Sequence, residues 1–282
     1  MEATVFGNPQ TLPIPFRYGQ RVITKASFDT PELSSIANVR KYAESNVWKA
    51  MKAYIDGSII ALIDSDGEEI TGNGEIKKAT ESMPIQSAEV LSVAIALSYN
   101  EDDYVEGLYE CPLCKNVVKA IDDGEDDTRD RIRNLSIVSC ESADEMVHIE
   151  LKNHIVIKGK SRADKEEHEL VITEFSMRHP TIRDGIASMG KYGATDELRQ
   201  QFAMFTEALV SINGEEVSQA ERAQFGMMIF EKMKAGHDTR EINRQTTQYG
   251  ISGRVKKVCR CGRRFDATIE TRSFFAFALR QT

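Results

Sequence analysis

The chain has 282 residues, 41% of them hydrophobic and 28% charged, and carries a net charge of −8. Length and balance are ordinary for a globular protein with a full core. No apolar run reaches the ~18 residues that cross a membrane, and the negative charge argues against a protein whose main task is gripping phosphates.

The first residues lack a basic segment followed by an apolar one, so no secretory signal is expected there. Residues 1–29 are apolar pieces broken by Pro9, Pro13, Pro15 and Gly19, which predicts an extended arm or hairpin. Thr30 and Pro31 open a helical stretch. In it Trp48, Met51 and Ile55 recur at helical spacing and should face a core. Residues 59–70 read IIALIDSDGEEI. Asp64 and Asp66 beside Gly67 are expected to shape a turn and not to act as a carboxylate pair. A helix is predicted over residues 87–98, with Ser87 as N-cap, Glu89 in the first turn, and Val90, Leu91, Ala94, Ile95 and Leu97 forming a wide apolar face. A strand then leads into Cys111 and Cys114.

Residues 122–131 form an acidic run without apolar period, expected as an exposed loop. It lacks the ligand order of a calcium-binding loop. Cys140 stands alone beside an apolar run, where a cysteine behaves as a small buried hydrophobe. Val147, Ile149 and Leu151, then Ile155 and Ile157, then Leu170 and Ile172 alternate as strands, joined into a hairpin by a charged loop. Residues 195–197 start a helix whose Leu198, Phe202, Phe205 and Leu209 mark a core face. Residues 208–217 read ALVSINGEEV, and Ser218 and Glu221 have capping-box spacing ahead of a helix burying Phe225, Met228, Ile229 and Met233. The chain then turns basic over residues 254–264 around Cys259 and Cys261. An aromatic end follows, with Phe274, Phe275, Phe277 and Leu279.

Two stretches therefore say nearly the same thing. Cys114 lies 47 positions after Gly67, and Cys261 lies 47 positions after Gly214. Four of the five cysteines fall at equivalent ends of two related halves. The expected fold is α+β, with two pseudo-repeated halves of strands, amphipathic helices and a cysteine knuckle, joined by a shared zinc-ribbon-like site. The expected boundaries are 1–121, an acidic linker over 122–146, and 147–282.

Without a secretory signal the thiols are expected to be reduced, in a cytosol. Cys111, Cys114, Cys259 and Cys261 are then candidate ligands of one structural zinc ion. Thiolates hold zinc in a tetrahedron, and a tight turn presents two of them together. Gly262 suits such a turn because it tolerates positive φ. The second pair has one intervening residue instead of two, so Cys259 is expected to ligate from a distorted turn. A site with four protein ligands has no position for activated water. His148, His154, His168, His179 and His237 form no close-spaced ligand pair and flank no nucleophile, and no phosphate loop is present, so no enzymatic role is expected.

The stretch MPIQSAEVLSVAIALSYNEDDYVEGLYECPLC and the later SINGEEV … CRCGRRFDATIETRSFF, with its Phe274-Phe275 close, resemble the T-even-type baseplate hub assembly proteins and related phage tail assembly chaperones. The resemblance spans residues 80–118 and 200–277. It implies a protein that helps build the baseplate hub by binding other tail proteins, such as hub, tape-measure or tube components. It implies a place in the host cytoplasm during assembly, and for some members in the virion. The alternative reading is a zinc-ribbon nucleic-acid-binding or transcription-associated protein, which needs a coherent basic face.

Overall fold

The structure, a computed structural model, describes residues 6–100, 103, 108–119, 132–160, 167–193, 196–234 and 236–269. The acidic run 122–131, the charged hairpin loop 161–166 and the aromatic end therefore lie outside the described residues. The fold is mixed α+β.

Strands β1 (Gln10–Tyr18) and β2 (Arg21–Phe28) form the expected hairpin. Pro13 and Pro15 lack N–H groups, so β1 can sit only at a sheet edge, and its register shifts between Thr11 and Phe16. Helices α1 (Leu33–Ala43) and α2 (Val47–Asp56) follow. Then come β3 (Ile59–Asp64), β4 (Glu69–Ile70), α3 (Asn73–Ala79) and α4 (Ile85–Tyr99). The four strands make an antiparallel sheet in the order β1-β2-β3-β4. Asp64 closes its last turn by accepting from the N–H groups of Asp66 (3.0 Å) and Glu68 (2.9 Å), with Gly67 at φ 86°. A small hairpin of β5 (Leu108–Glu110) and β6 (Val117–Lys119) follows.

β7 (Ile137–Val138) comes next, and then the same kinds of element in the same order. β8 (Met146–Lys160) and β9 (Glu167–Arg178) form a long hairpin. Helices α5 (Ile182–Tyr192) and α6 (Glu197–Ala208) precede β10 (Leu209–Ile212) and β11 (Glu215–Glu216). Asn213 and Gly214, at φ 51° and 80°, make the two-residue turn between them. Helices α7 (Gln219–Lys232) and α8 (His237–Thr246) lead through β12 (Gly250–Ile251) to a second small hairpin, β13 (Arg254–Val258) with β14 (Arg264–Thr268). The second sheet runs β8-β9-β10-β11, again antiparallel. The free edge of β8 is covered by α8, whose Gln245 and Asp238 bind the backbone of His148, Lys152 and Asn153.

Three helix expectations need correcting. Helix α4 begins at Ile85 behind Pro84, so Ser87 is not its cap. Ser87 is buried, and its hydroxyl both accepts from the Ile14 N–H and donates to the Ile14 carbonyl, satisfying the outer edge of β1. Glu89 accordingly sits one turn deeper than the sequence suggests. The apolar face of α4 is also no face. Residues 90–97 are buried all round, as in a helix clamped between layers. In α6, Leu198 is 60% exposed while Ala203, Phe205 and Ala208 are buried. The capping box of Ser218 and Glu221 forms as expected. On α7 the deepest residues are Ile229 and Phe230, with Phe225, Met228 and Met233 only partly buried.

Two hydrophobic clusters result. The second lies wholly within residues 147–242 and centres on Phe230, whose ring meets Phe175 edge-on at 5.7 Å and stacks on Phe202 at 5.9 Å. The first holds the sheet β1–β4, α2 and α4, and also draws in Tyr109, Ile132, Leu135, Ile182, Ala267 and Ile269. Both small hairpins thus pack on the first cluster. Residues 132–146, expected within a linker, are built into the fold. Ile132 and Leu135 are core, β7 pairs with β12, and the Cys140 N–H donates to the Pro13 carbonyl.

Candidate metal centre

Each small hairpin carries two cysteines at its tip. In the first, the Cys111 N–H donates to the Asn116 carbonyl (2.9 Å) and the Lys115 N–H to the Cys111 carbonyl (3.0 Å). Lys115 has φ 62°, so the chain doubles back immediately after Cys114. In the second, the Cys259 N–H donates to Arg263 (2.9 Å) and the Gly262 N–H to Cys259 (2.8 Å), with Gly262 at φ 81°. The two tips share one design, a left-handed residue straight after the second cysteine. The second is one residue shorter, and glycine lets it close. The left-handed Lys115 had no glycine to announce it.

The tips face each other. Cys111 Sγ lies 3.8 Å from Cys261 Sγ, and Cys114 Sγ lies 3.5 Å from Cys259 Sγ. All four sulfurs fall within 4.8 Å of one another. These separations are far beyond a disulfide bond of about 2.05 Å. They fit the ~3.8 Å edge of a tetrahedron whose centre is about 2.3 Å from each thiolate. The four residues can hold a metal ion, and the donor set fits zinc or iron. Cys111 and Cys259 are buried, Cys114 is half-buried and Cys261 exposed.

The surroundings favour thiolate at one end of the group. The Cys114 N–H, pointed at the Cys111 sulfur, leads in pulling that thiol down to about 6, with Leu113 adding to it. At Cys259 the Cys261 N–H acts the same way. Burial and the side chains of Cys114, Cys261 and Cys111 outweigh it and push the thiol up to about 12. Four sulfurs this close cannot all ionise by themselves. A divalent cation among them removes that obstacle. Behind the tips, Lys257 is buried with its ammonium 5.3 Å from the Tyr109 ring centre, joining the two hairpins.

Cys140 lies apart from this group. It is half-buried, its thiol contacts the Ser142 carbonyl, and burial with nearby Glu145 pushes it up to about 11. A second set of ligating side chains, His148, Glu150 and Glu174, lies on the outer face of the second sheet. Its signal in sequence was the alternation of His148 and Glu150 with core residues. The third member, Glu174, needs the register that places it opposite Glu150. His179 is buried with both ring nitrogens unpaired, and burial lowers it to about 4. No helix among the described residues is long and apolar enough to cross a membrane. Compared with known protein families, curated proteins and solved structures, the chain matches none.

Proposed function

We propose that this protein is a phage tail baseplate hub component or assembly factor that acts by binding other tail proteins and turns over no substrate. The observation that carries the non-catalytic part is the closed set of four cysteine sulfurs, two from each hairpin tip, at tetrahedral separations. Such a set leaves no metal position for a reacting molecule. Zinc is the ion proposed, one per chain, in a structural role within a zinc-ribbon-like pair of knuckles. We further read the halves as a duplicated unit. Support comes from the matched strand orders and from the two helices that separate the second and third strands in each sheet. The tail setting rests on the resemblance of residues 80–118 and 200–277.

The test is co-purification from infected cells with mass spectrometry of the bound proteins, alongside metal analysis of protein purified without chelators. Hub, tape-measure or tube proteins with one zinc per chain are expected. Iron, or no metal, rejects the zinc assignment, and the absence of any tail protein rejects the setting. The alternative, nucleic-acid binding, draws on the outward Arg254, Lys256 and Arg264 of the second hairpin. A mobility shift with steep salt dependence would favour it.

A further inference from the structure

The metal-bearing tips carry an unusual surface. Among the described residues few large apolar side chains are exposed, and three of them stand close to the cysteines in the chain: Leu113 (70%), Val117 (62%) and Val258 (60%). Leu113 precedes Cys114, and Val258 precedes Cys259. With those two sulfurs 3.5 Å apart, chain geometry keeps the two residues within roughly 17 Å of each other. None of the three serves the core, because the inward positions of these hairpins are taken by Tyr109, Val118, Val255, Phe265 and Ala267.

Charge surrounds the patch. Of the six basic side chains in residues 254–264, Lys257 is buried behind the tips and the other five are exposed, with exposed Asp266 opposite Lys256 across the hairpin. Arg254, Lys256 and Arg264 alternate outward with Val258, and Arg263 is exposed in the turn. A chain of net charge −8 concentrates cations at one place, around exposed aliphatics.

We infer that the paired hairpin tips are a docking surface for an acidic segment of another protein, one with an apolar stripe flanked by carboxylates. This deepens the binding role proposed above and rests on it. The side chains between the cations are aliphatic. Single-stranded nucleic acid is held on aromatic platforms, and the aromatic residues of the two hairpins, Tyr109 and Phe265, are packed on the first core. Leucine and valine offer bases nothing to stack on, but they complement the apolar stripe of an amphipathic helix. The cations then supply orientation and rate of encounter.

The experiment uses the full, metal-loaded chain and three probes: a helical peptide of leucine and glutamate, the same peptide with lysine for glutamate, and a single-stranded oligonucleotide. The acidic peptide should bind and the basic one should not. Leu113→Asp and Val258→Asp should each weaken binding about tenfold. Both positions are exposed, so circular dichroism and metal content should be unchanged. Equal binding of both peptides, or acidic-peptide binding indifferent to both variants, overturns the inference. An oligonucleotide that displaces the peptide overturns it in favour of nucleic acid. Self-association abolished by Val258→Asp gives the surface to a second copy and overturns it too. Tail proteins that co-purify equally with the wild type and the variants reject this surface while leaving the tail setting intact. Peptide binding without any tail protein does the reverse.

Discussion

At the scale of single residues, the five cysteines divide by surroundings and not by spacing. Cys111 is buried, receives N–H groups on its sulfur, and has three other sulfurs close by. Cys140 has a carbonyl and a carboxylate for neighbours. Cys111→Ser should release the metal. Metal binding is worth on the order of 10 kcal/mol in small zinc peptides. Here the hairpins have the first core behind them, so a smaller loss of about 4 kcal/mol is expected, lowering Tm by roughly 10 °C. Cys140→Ser should leave metal content unchanged and shift Tm far less, because its thiol makes one weak contact. Metal analysis with calorimetry on both variants checks this; equal losses would mean that Cys111 matters as a packed side chain and not as a ligand. The four sulfurs were legible in sequence because the doublets fell at matched offsets. The closure of the first tip was not, because Lys115 adopts φ 62° without being glycine. That conformation is enforced by the hairpin pairing on either side.

At the scale of elements, α4 shows where periodicity misleads. A period of 3.6 reports one buried face, and a helix enclosed by β1, α2 and β12 has no exposed face to report. Ser87 looked like a cap because it precedes an apolar run. Its hydroxyl is instead spent on Ile14, a partner 73 residues away. Glu89, on the same helix, lines a cavity of about 200 Å³ with Gln201, Met204, Phe205 and Tyr249. Burial raises its carboxyl to about 8. The folded value lies above the unfolded one of about 4.3, so the native state binds the proton more tightly. Stability is then full below about pH 4 and falls as pH rises toward 8. Tyr249, the other titrating group in that wall, is pushed up to about 12 and stays neutral across the window. Glu89→Gln should match wild type in Tm near the lower end and exceed it near pH 8; a constant difference across that range would remove Glu89 from the account. A second element-level test lies where α5 crosses α2. A Cβ on Gly185 would fall 2.6 Å from the Trp48 ring. Alanine brings about 1 kcal/mol of helix propensity, but overpacking costs about 1–3 kcal/mol. Gly185→Ala is therefore expected to lower Tm by a few degrees and to shift the emission of Trp48, the single tryptophan; a stabilised variant with unchanged emission would refute this packing.

At the scale of the whole molecule, the chain interleaves its halves. Residues 83–85 pair with residues 180–182: the Ile85 N–H donates to the Pro180 carbonyl, and the Ile182 N–H to the Met83 carbonyl. β12 returns to β7, and the last described residue, Ile269, is buried in the first core. Sequence could announce matched doublets and hairpins, since both are local. It could not announce that the second hairpin leaves its own half, because that choice depends on which apolar surface remains uncovered once each sheet has packed. The crossing has a measurable consequence. The metal would tie Cys111 to Cys261 across 150 residues of chain, and both hairpins rest on the first core through Tyr109, Val118, Val255 and Phe265. The second core, centred on Phe230, receives none of these side chains. Removing the metal with a chelator should therefore raise hydrogen exchange in β5, β6, β13 and β14 first, and next in β7 and β12 beside them. β8, β9 and β10 should keep their protection, because local opening follows contiguous units. Exchange followed by mass spectrometry resolves these segments. Uniform deprotection of both sheets would show that the metal holds one cooperative unit. Loss confined to β8–β10 would place the support of the two small hairpins on the wrong core.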